Sequence, residues 1–293
     1  MNKFHGTGVA LVTPFKADGS VDFEGLKNLI NYLVDGKVEY LVSLGTTGEA
    51  STLNKDEKKK IWEFTAEINN GRLPLVAGIG GNDTVAVANN MKAFDIAGYD
   101  AILSASPYYN KPTQEGIYQH YKYLSESSPL PIFLYNVPGR TGSNMTADTT
   151  CRLANDFKNI IGMKEASGSF DQFNLIMRDK PKDFLLISGD DPVALPMISL
   201  GAAGVISVIG NALPKQLSDM IRLCLQGDYA AALPLHLNLI EFTRLMFAEG
   251  NPGGAKAALK HFGVCKDHLR LPLVNVSESL LQQIIKESDR IVS

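Results

Sequence analysis

A chain of 293 residues that is 45% hydrophobic and 20% charged has the composition of a folded globular protein, sized for one large α/β domain or two ordinary ones. Its formal net charge of -3 carries no electrostatic footprint for nucleic acid or an anionic membrane, and neither is expected as a partner. Cys151, Cys224 and Cys265 are odd in number and far apart, which suits reduced thiols in a cytoplasmic protein and argues against a disulfide or metal framework.

The stretch from Met1 to Gly6 has no long apolar core and no small-residue cleavage site, so no signal peptide is expected. Apolar runs of strand length then alternate with helical stretches. The strands fall at Gly8–Pro14, Tyr40–Leu44, Leu75–Ile79, Ala101–Ser104, Pro131–Tyr135, Ile160–Glu165, Phe184–Ser188 and Gly204–Ile209. Asn54 ahead of Lys55-Asp56-Glu57 has the form of a capping box, and Lys58-Lys59-Lys60 reads as the solvated face of that helix. Asn82-Asp83-Thr84 and Thr113-Gln114-Glu115 open two more helices, and Asp191 before Pro192 reads as an N-cap. Pro192 to Pro214 carries no charge. Breaks at Pro196, Gly201, Gly204, Gly210 and Asn211 make it a short buried helix and a buried strand, not a membrane span.

Eight strands alternating with helices over about 220 residues predict a parallel (β/α)₈ barrel. An open doubly wound sheet would place a glycine-rich turn after the first strand, where this chain has Val12-Thr13-Pro14-Phe15. Gly78-Ile79-Gly80-Gly81-Asn82 imitates that turn only in part, because Asp83 stands at the last glycine position. Beyond Gln226 the rhythm leaves helices alone, at Tyr229–Phe247, Gly253–Phe262 and Ser277–Ser288. The expected division is a barrel at 1–226 and a C-terminal helical extension at 227–293, with His236 and His261 in structural roles.

A barrel carries its chemistry in the loops that follow the strands. After the second comes Gly45-Thr46-Thr47-Gly48-Glu49, a glycine-hinged nest suited to a carboxylate. After the fourth, Tyr108 and Tyr109 stand between prolines and read equally as site residues or as packing at a subunit contact. The fifth ends in Tyr135, with Arg140 five residues on, a proton donor and a carboxylate clamp. The sixth carries Lys164 near its end. Counted by twos, Ile160, Gly162, Lys164 and Ala166 share one face, where Gly162 and Ala166 leave space around the amine. A lone strand-end lysine can snorkel to water. A lysine buried in a strand is costly unless its charge is paired or its pKa falls, and an uncharged amine can attack a ketone to form a Schiff base. No histidine or cysteine joins this rim, which disfavours a metal-assisted aldolase. Asp190 and Asp191 after the seventh strand repel the phosphate of pyridoxal phosphate. Metal-free Schiff-base chemistry with no cofactor is the better reading.

The clusters Gly45-Thr46-Thr47-Gly48-Glu49, Tyr135-Asn136-Val137-Pro138-Gly139-Arg140-Thr141-Gly142 and Gly162-Met163-Lys164-Glu165-Ala166-Ser167-Gly168 closely resemble motifs of the dihydrodipicolinate synthase family. That family, also called 4-hydroxy-tetrahydrodipicolinate synthase, lies within the class I pyruvate-dependent aldolases. Pro107 to Pro112 and Ser188 to Asp191 match as well, in unbroken order from about Gly6 to Asn211. The resemblance implies condensation of pyruvate with L-aspartate 4-semialdehyde, followed by cyclisation, in lysine and diaminopimelate synthesis. It implies Lys164 as the Schiff-base residue and Tyr135, Thr46 and Tyr109 as the proton relay. Thr47 would hold the pyruvate carboxylate, Arg140 the carboxylate of the semialdehyde, and Gly189 and Ile206 would line the pocket through backbone atoms. Tyr109 reaching into a neighbouring subunit implies a homo-oligomer, usually a tetramer built from two tight dimers.

Lysine-inhibited members of that family close a feedback pocket with histidines and a glutamate. Here Lys55, Lys58 and Ala86 stand at the matching positions, while Asn82 and Tyr108 remain, so feedback by L-lysine is expected to be weak or absent. N-acetylneuraminate lyases and 2-keto-3-deoxy sugar acid aldolases share the lysine and tyrosine. Thr46-Thr47 in place of a Ser-Thr pair, and Arg140 after Val137-Pro138, favour the synthase. A silent barrel that senses a keto acid is the non-enzyme alternative.

Overall fold

The computed structural model describes residues 3–293, so Met1 and Asn2 of the stretch read for a leader lie outside the described residues. The first half of the barrel comprises β1 (Gly6–Ala10), α1 (Phe23–Asp35), β2 (Tyr40–Ser43), α2 (Lys55–Asn69), β3 (Leu75–Gly78), α3 (Thr84–Lys92), β4 (Ala101–Ala105) and α4 (Gln114–Ser125). The second half begins with β5 (Ile132–Asn136), the single turn α5 (Pro138–Thr141), α6 (Ala147–Asp156), β6 (Ile160–Glu165) and α7 (Phe170–Asp179). It ends with β7 (Leu185–Ser188), α8 (Ala194–Ser199), β8 (Gly204–Ser207) and α9 (Pro214–Leu225). Three helices follow, α10 (Tyr229–Phe247), α11 (Gly253–His261) and α12 (Glu278–Val292). The strands close in sequence order, each parallel to its neighbours, and β1 pairs with β8. This is a (β/α)₈ barrel with a C-terminal helical extension.

Local chemistry starts the helices where it was expected to. Asn54 and Glu57 form a reciprocal capping box on α2, and Asp83 and Thr113 cap α3 and α4. Two strand expectations needed correction. β1 begins two residues early because Gly6 and Thr7 pair with Gly204 and Val205, and the chain leaves the ladder where Val12 donates its N–H to Asn211 Oδ1. In β6 the register shifts after the Ile132–Ile160 pair, so Phe133 meets Gly162. That bulge sends Ile160 outward into the layer between strands and helices, and breaks the face of alternate residues it was counted on.

Aromatic rings plug the barrel at its N-terminal end, where Phe4 meets Tyr40 and Phe133 edge-on at 5.6 and 5.1 Å. Gly8 is required there, because a Cβ would lie 2.2 Å from the Tyr40 ring. The opposite, C-terminal rim carries an open cavity. No helix among the described residues is long and apolar enough to cross a membrane.

Candidate active site

Tyr135 and Lys164 are register partners on β5 and β6, and Lys164 pairs on its other side with Ile187 of β7. Both side chains are buried, with the Lys164 Nζ 4.4 Å from the centre of the Tyr135 ring. Each is followed by a residue that turns outward. The Glu165 carboxylate accepts from Asn136 Nδ2 at 3.1 Å, from Gln172 Nε2 at 2.9 Å and from the Ser167 N–H at 2.6 Å. Asn136 Oδ1 in turn accepts from the Met145 N–H. The strand positions of the amine and the phenol are therefore locked from behind.

Space beside the amine comes from Gly189 more than from Gly162. A Cβ on Gly189 would sit 2.7 Å from the Ala166 Cβ and 3.1 Å from the Lys164 Cε. A Cβ on Gly162 would strike the Phe133 ring at 2.6 Å, so the expectation that Gly162 clears the amine is corrected. Ile206 packs into the barrel interior with Tyr135 and Ile187.

Thr46 and Thr47 open a 3₁₀ turn, Thr46–Gly48, whose first N–H groups have no partner inside the turn. Thr46 is exposed and Thr47 buried. Glu49 closes the turn at φ 52°, in the left-handed region. From the far end of the chain, Asn251 Nδ2 donates to Thr47 Oγ1 at 3.0 Å, and the fully buried Lys256 pairs with the Glu49 carboxylate. Glu49 also accepts the Arg270 N–H at 3.1 Å.

A cavity of about 860 Å³ opens over this rim, walled by Thr46, Tyr135, Arg140, Tyr108, Lys55 and Lys58 among others. Lys164 does not line it; Tyr135, against which the amine lies, does. Arg140 is exposed on α5 and has no ion-pair partner among the described residues. Burial lowers the pKa of the half-buried Lys58 ammonium, which has no carboxylate partner there either. Asn82 and Ala86 are exposed and stand outside the cavity wall. Tyr109 is the expected relay residue that stands apart: it is 84% exposed at φ 73° and makes no hydrogen bond to Thr46 or Tyr135.

Asp191 corrects another expectation. It is the first residue of the 3₁₀ turn Asp191–Val193 and makes no cap bond. Its Oδ2 instead accepts the N–H groups of Val208 and Ile209 at 3.0 and 3.2 Å, tying the loop after β7 to the end of β8. Burial raises the carboxyl pKa of Asp191, against these hydrogen bonds. Burial raises Asp190 too, while the nearby Lys164 pulls it the other way.

Asn251, Lys256 and the pairing of Glu49 bear on the site without having been foreseen. Lys256 carries a signal of its own, a lysine flanked by Ala255, Ala257 and Ala258 on a wholly apolar stretch, where a charge calls for a buried partner. Asn251 carries none, because Thr47 lies 204 positions away.

A closed parallel barrel with a buried amine against a phenol and hydroxyls on its C-terminal rim is the architecture of a (β/α)₈-barrel enzyme, and the relatives place it among the lyases. The dihydrodipicolinate synthetase family model matches residues 3–289, and the chain belongs to that family. It is 55% identical over 284 residues to the 4-hydroxy-tetrahydrodipicolinate synthase of Flavobacterium psychrophilum, with 97% of each chain covered. Among solved structures it superposes with a TM-score of 0.95 on the dihydrodipicolinate synthase of Aquifex aeolicus, at 38% identity and 98% of each chain. The chloride-inhibited dihydrodipicolinate synthase of Acinetobacter baumannii complexed with pyruvate gives a TM-score of 0.93 at 38% identity, covering 97% of this chain and 99% of that one.

Proposed function

We propose that the chain condenses pyruvate with L-aspartate 4-semialdehyde through a Schiff base on Lys164, as a 4-hydroxy-tetrahydrodipicolinate synthase in lysine and diaminopimelate synthesis. The observation that carries this reading is the buried Lys164 amine held 4.4 Å from the Tyr135 ring at the floor of an open rim. The amine attacks the keto carbon of pyruvate, and loss of water leaves an imine. A proton lost from the methyl group gives an enamine, whose carbon bonds to the aldehyde carbon of the semialdehyde. The amine of the semialdehyde then attacks the imine carbon, closes the ring and releases Lys164.

Each step moves a proton, and the Tyr135 phenol with the Thr46 hydroxyl supplies a path that needs no histidine. The exposure of Tyr109 supports its use in the relay of a neighbouring subunit, within a homo-oligomer that we read as a tetramer of two tight dimers. Thr47 takes the pyruvate carboxylate, and Arg140, which has no ion-pair partner among the described residues, takes that of the semialdehyde. In this reading residues 1–226 form the catalytic barrel, residues 227–293 brace it, and the enzyme works in the cytoplasm without a cofactor.

The test is ring formation from pyruvate and aspartate semialdehyde, run beside cleavage of N-acetylneuraminate. Faster turnover of the semialdehyde supports the reading. Preferential cleavage of the sugar acid would move the chain to a lyase on the same scaffold, and activity on neither would leave a keto-acid sensor.

A further inference from the structure

We infer that Asn251, at the turn between α10 and α11, is a positioning residue that aims the Thr47 hydroxyl proton at the substrate carboxylate, an inference that rests on the proposed role of Thr47. Asn251 is 8% exposed and Thr47 2%, so the bond from Nδ2 to Oγ1 at 3.0 Å is shielded from water. A hydroxyl has one proton to give and two acceptor sites. Nδ2 fills one acceptor site, and no protein acceptor among the described residues takes the proton. The donor is left for a ligand, and a carboxylate is the ligand class that uses it best.

The carboxamide itself is incompletely satisfied, because Oδ1 has no partner among the described residues. A buried acceptor without a donor costs stability, so packing alone does not account for an amide here. Orienting Thr47 does. The other bonds to this loop go to the Gly48 backbone and the Glu49 carboxylate, not to Thr47. Thr13 Oγ1 donates to the Gly48 carbonyl at 2.7 Å, and Lys256 holds Glu49 while also donating to the His268 carbonyl at 2.8 Å. Among the described residues only Asn251 hydrogen-bonds to the Thr47 hydroxyl.

The experiment is a double-mutant cycle with Thr47→Val and Asn251→Ala in the full-length enzyme, reading KM for pyruvate, KM for the semialdehyde and kcat. Asn251→Ala is expected to raise the pyruvate KM roughly five- to tenfold and leave the semialdehyde KM within about twofold. In the Thr47→Val background it should add nothing. Asn251→Asp, which keeps the shape but replaces a donor by an acceptor, should raise the pyruvate KM at least as far and guards against misfolding of the alanine variant. Equal damage to both KM values and kcat, or additive effects in the double variant, would mark a merely structural residue and overturn the inference. A normal pyruvate KM in Asn251→Ala beside a raised one in Thr47→Val overturns it while sparing the role of Thr47. A normal KM in Thr47→Val removes that role and the inference together.

Discussion

Tyr135 and Lys164 occupy paired positions on neighbouring strands, and the residues immediately after them, Asn136 and Glu165, hydrogen-bond to one another on the opposite face. One register thus fixes both the amine and the phenol inside the barrel and the polar lock outside it. A slip of one residue would turn the amine and the phenol out of the interior together.

Gly189 sets the clearance around the amine, so Gly189→Ala should be felt in chemistry before it is felt in folding. Its Cβ would press on Ala166 and on the Lys164 stem. We expect kcat/KM to fall more than about tenfold, with the melting temperature changing by only a few degrees. Full activity in this variant would show that the lysine has room the geometry does not give it.

If Tyr109 serves the neighbouring site, two defective enzymes should repair each other. Tyr109→Phe and Lys164→Ala subunits, unfolded together and refolded as a mixture, would place an intact Lys164 beside an intact Tyr109 from its partner in some sites. Activity well above the sum of the separately refolded variants is expected. Strictly additive activity would return Tyr109 to its own subunit.

His120 makes stability depend on acid. On α4 it is buried with Nδ1 2.8 Å from the Thr84 hydroxyl, and burial pushes the imidazole pKa from 6.5 down to about 4. Between those values the unfolded chain binds a proton that the native protein does not, so stability is lost as pH falls through that window. The contribution approaches about 3 kcal/mol. Unfolding free energies of wild type and His120→Gln, compared from pH 7 down to 4, should converge by about that amount. Parallel pH curves would contradict the assignment.

Feedback by L-lysine should be weak or absent. Lys55 and the half-buried Lys58 present ammonium groups to the cavity, where a ligand with two ammonium groups of its own would meet repulsion, and Ala86 provides no carboxylate. Half-inhibition at low-millimolar lysine or below would overturn this.

The barrel was legible in the chain because each strand is a short apolar run between turn signals, and β6 runs over the very span expected, Ile160–Glu165. That Lys164, Tyr135, Thr46, Thr47 and Arg140 stand at or just after the C-terminal ends of β2, β5 and β6 was legible, because barrel topology sends the ends of different strands to one rim. What escaped is set by partners remote in sequence. The Ile160 bulge depends on pairing with β5, and Asp191 looks like a cap until β8 brings the Val208 and Ile209 N–H groups within reach. The bond from Asn251 to Thr47 has no local signature at all.

The central claim is that Lys164 becomes covalently joined to pyruvate. Borohydride reduction in the presence of pyruvate, read by intact mass and peptide mapping, should leave a pyruvyl adduct on Lys164 and none in Lys164→Ala. An adduct of undiminished yield in Lys164→Ala, or one mapped to another lysine, would contradict the mechanism at its first step.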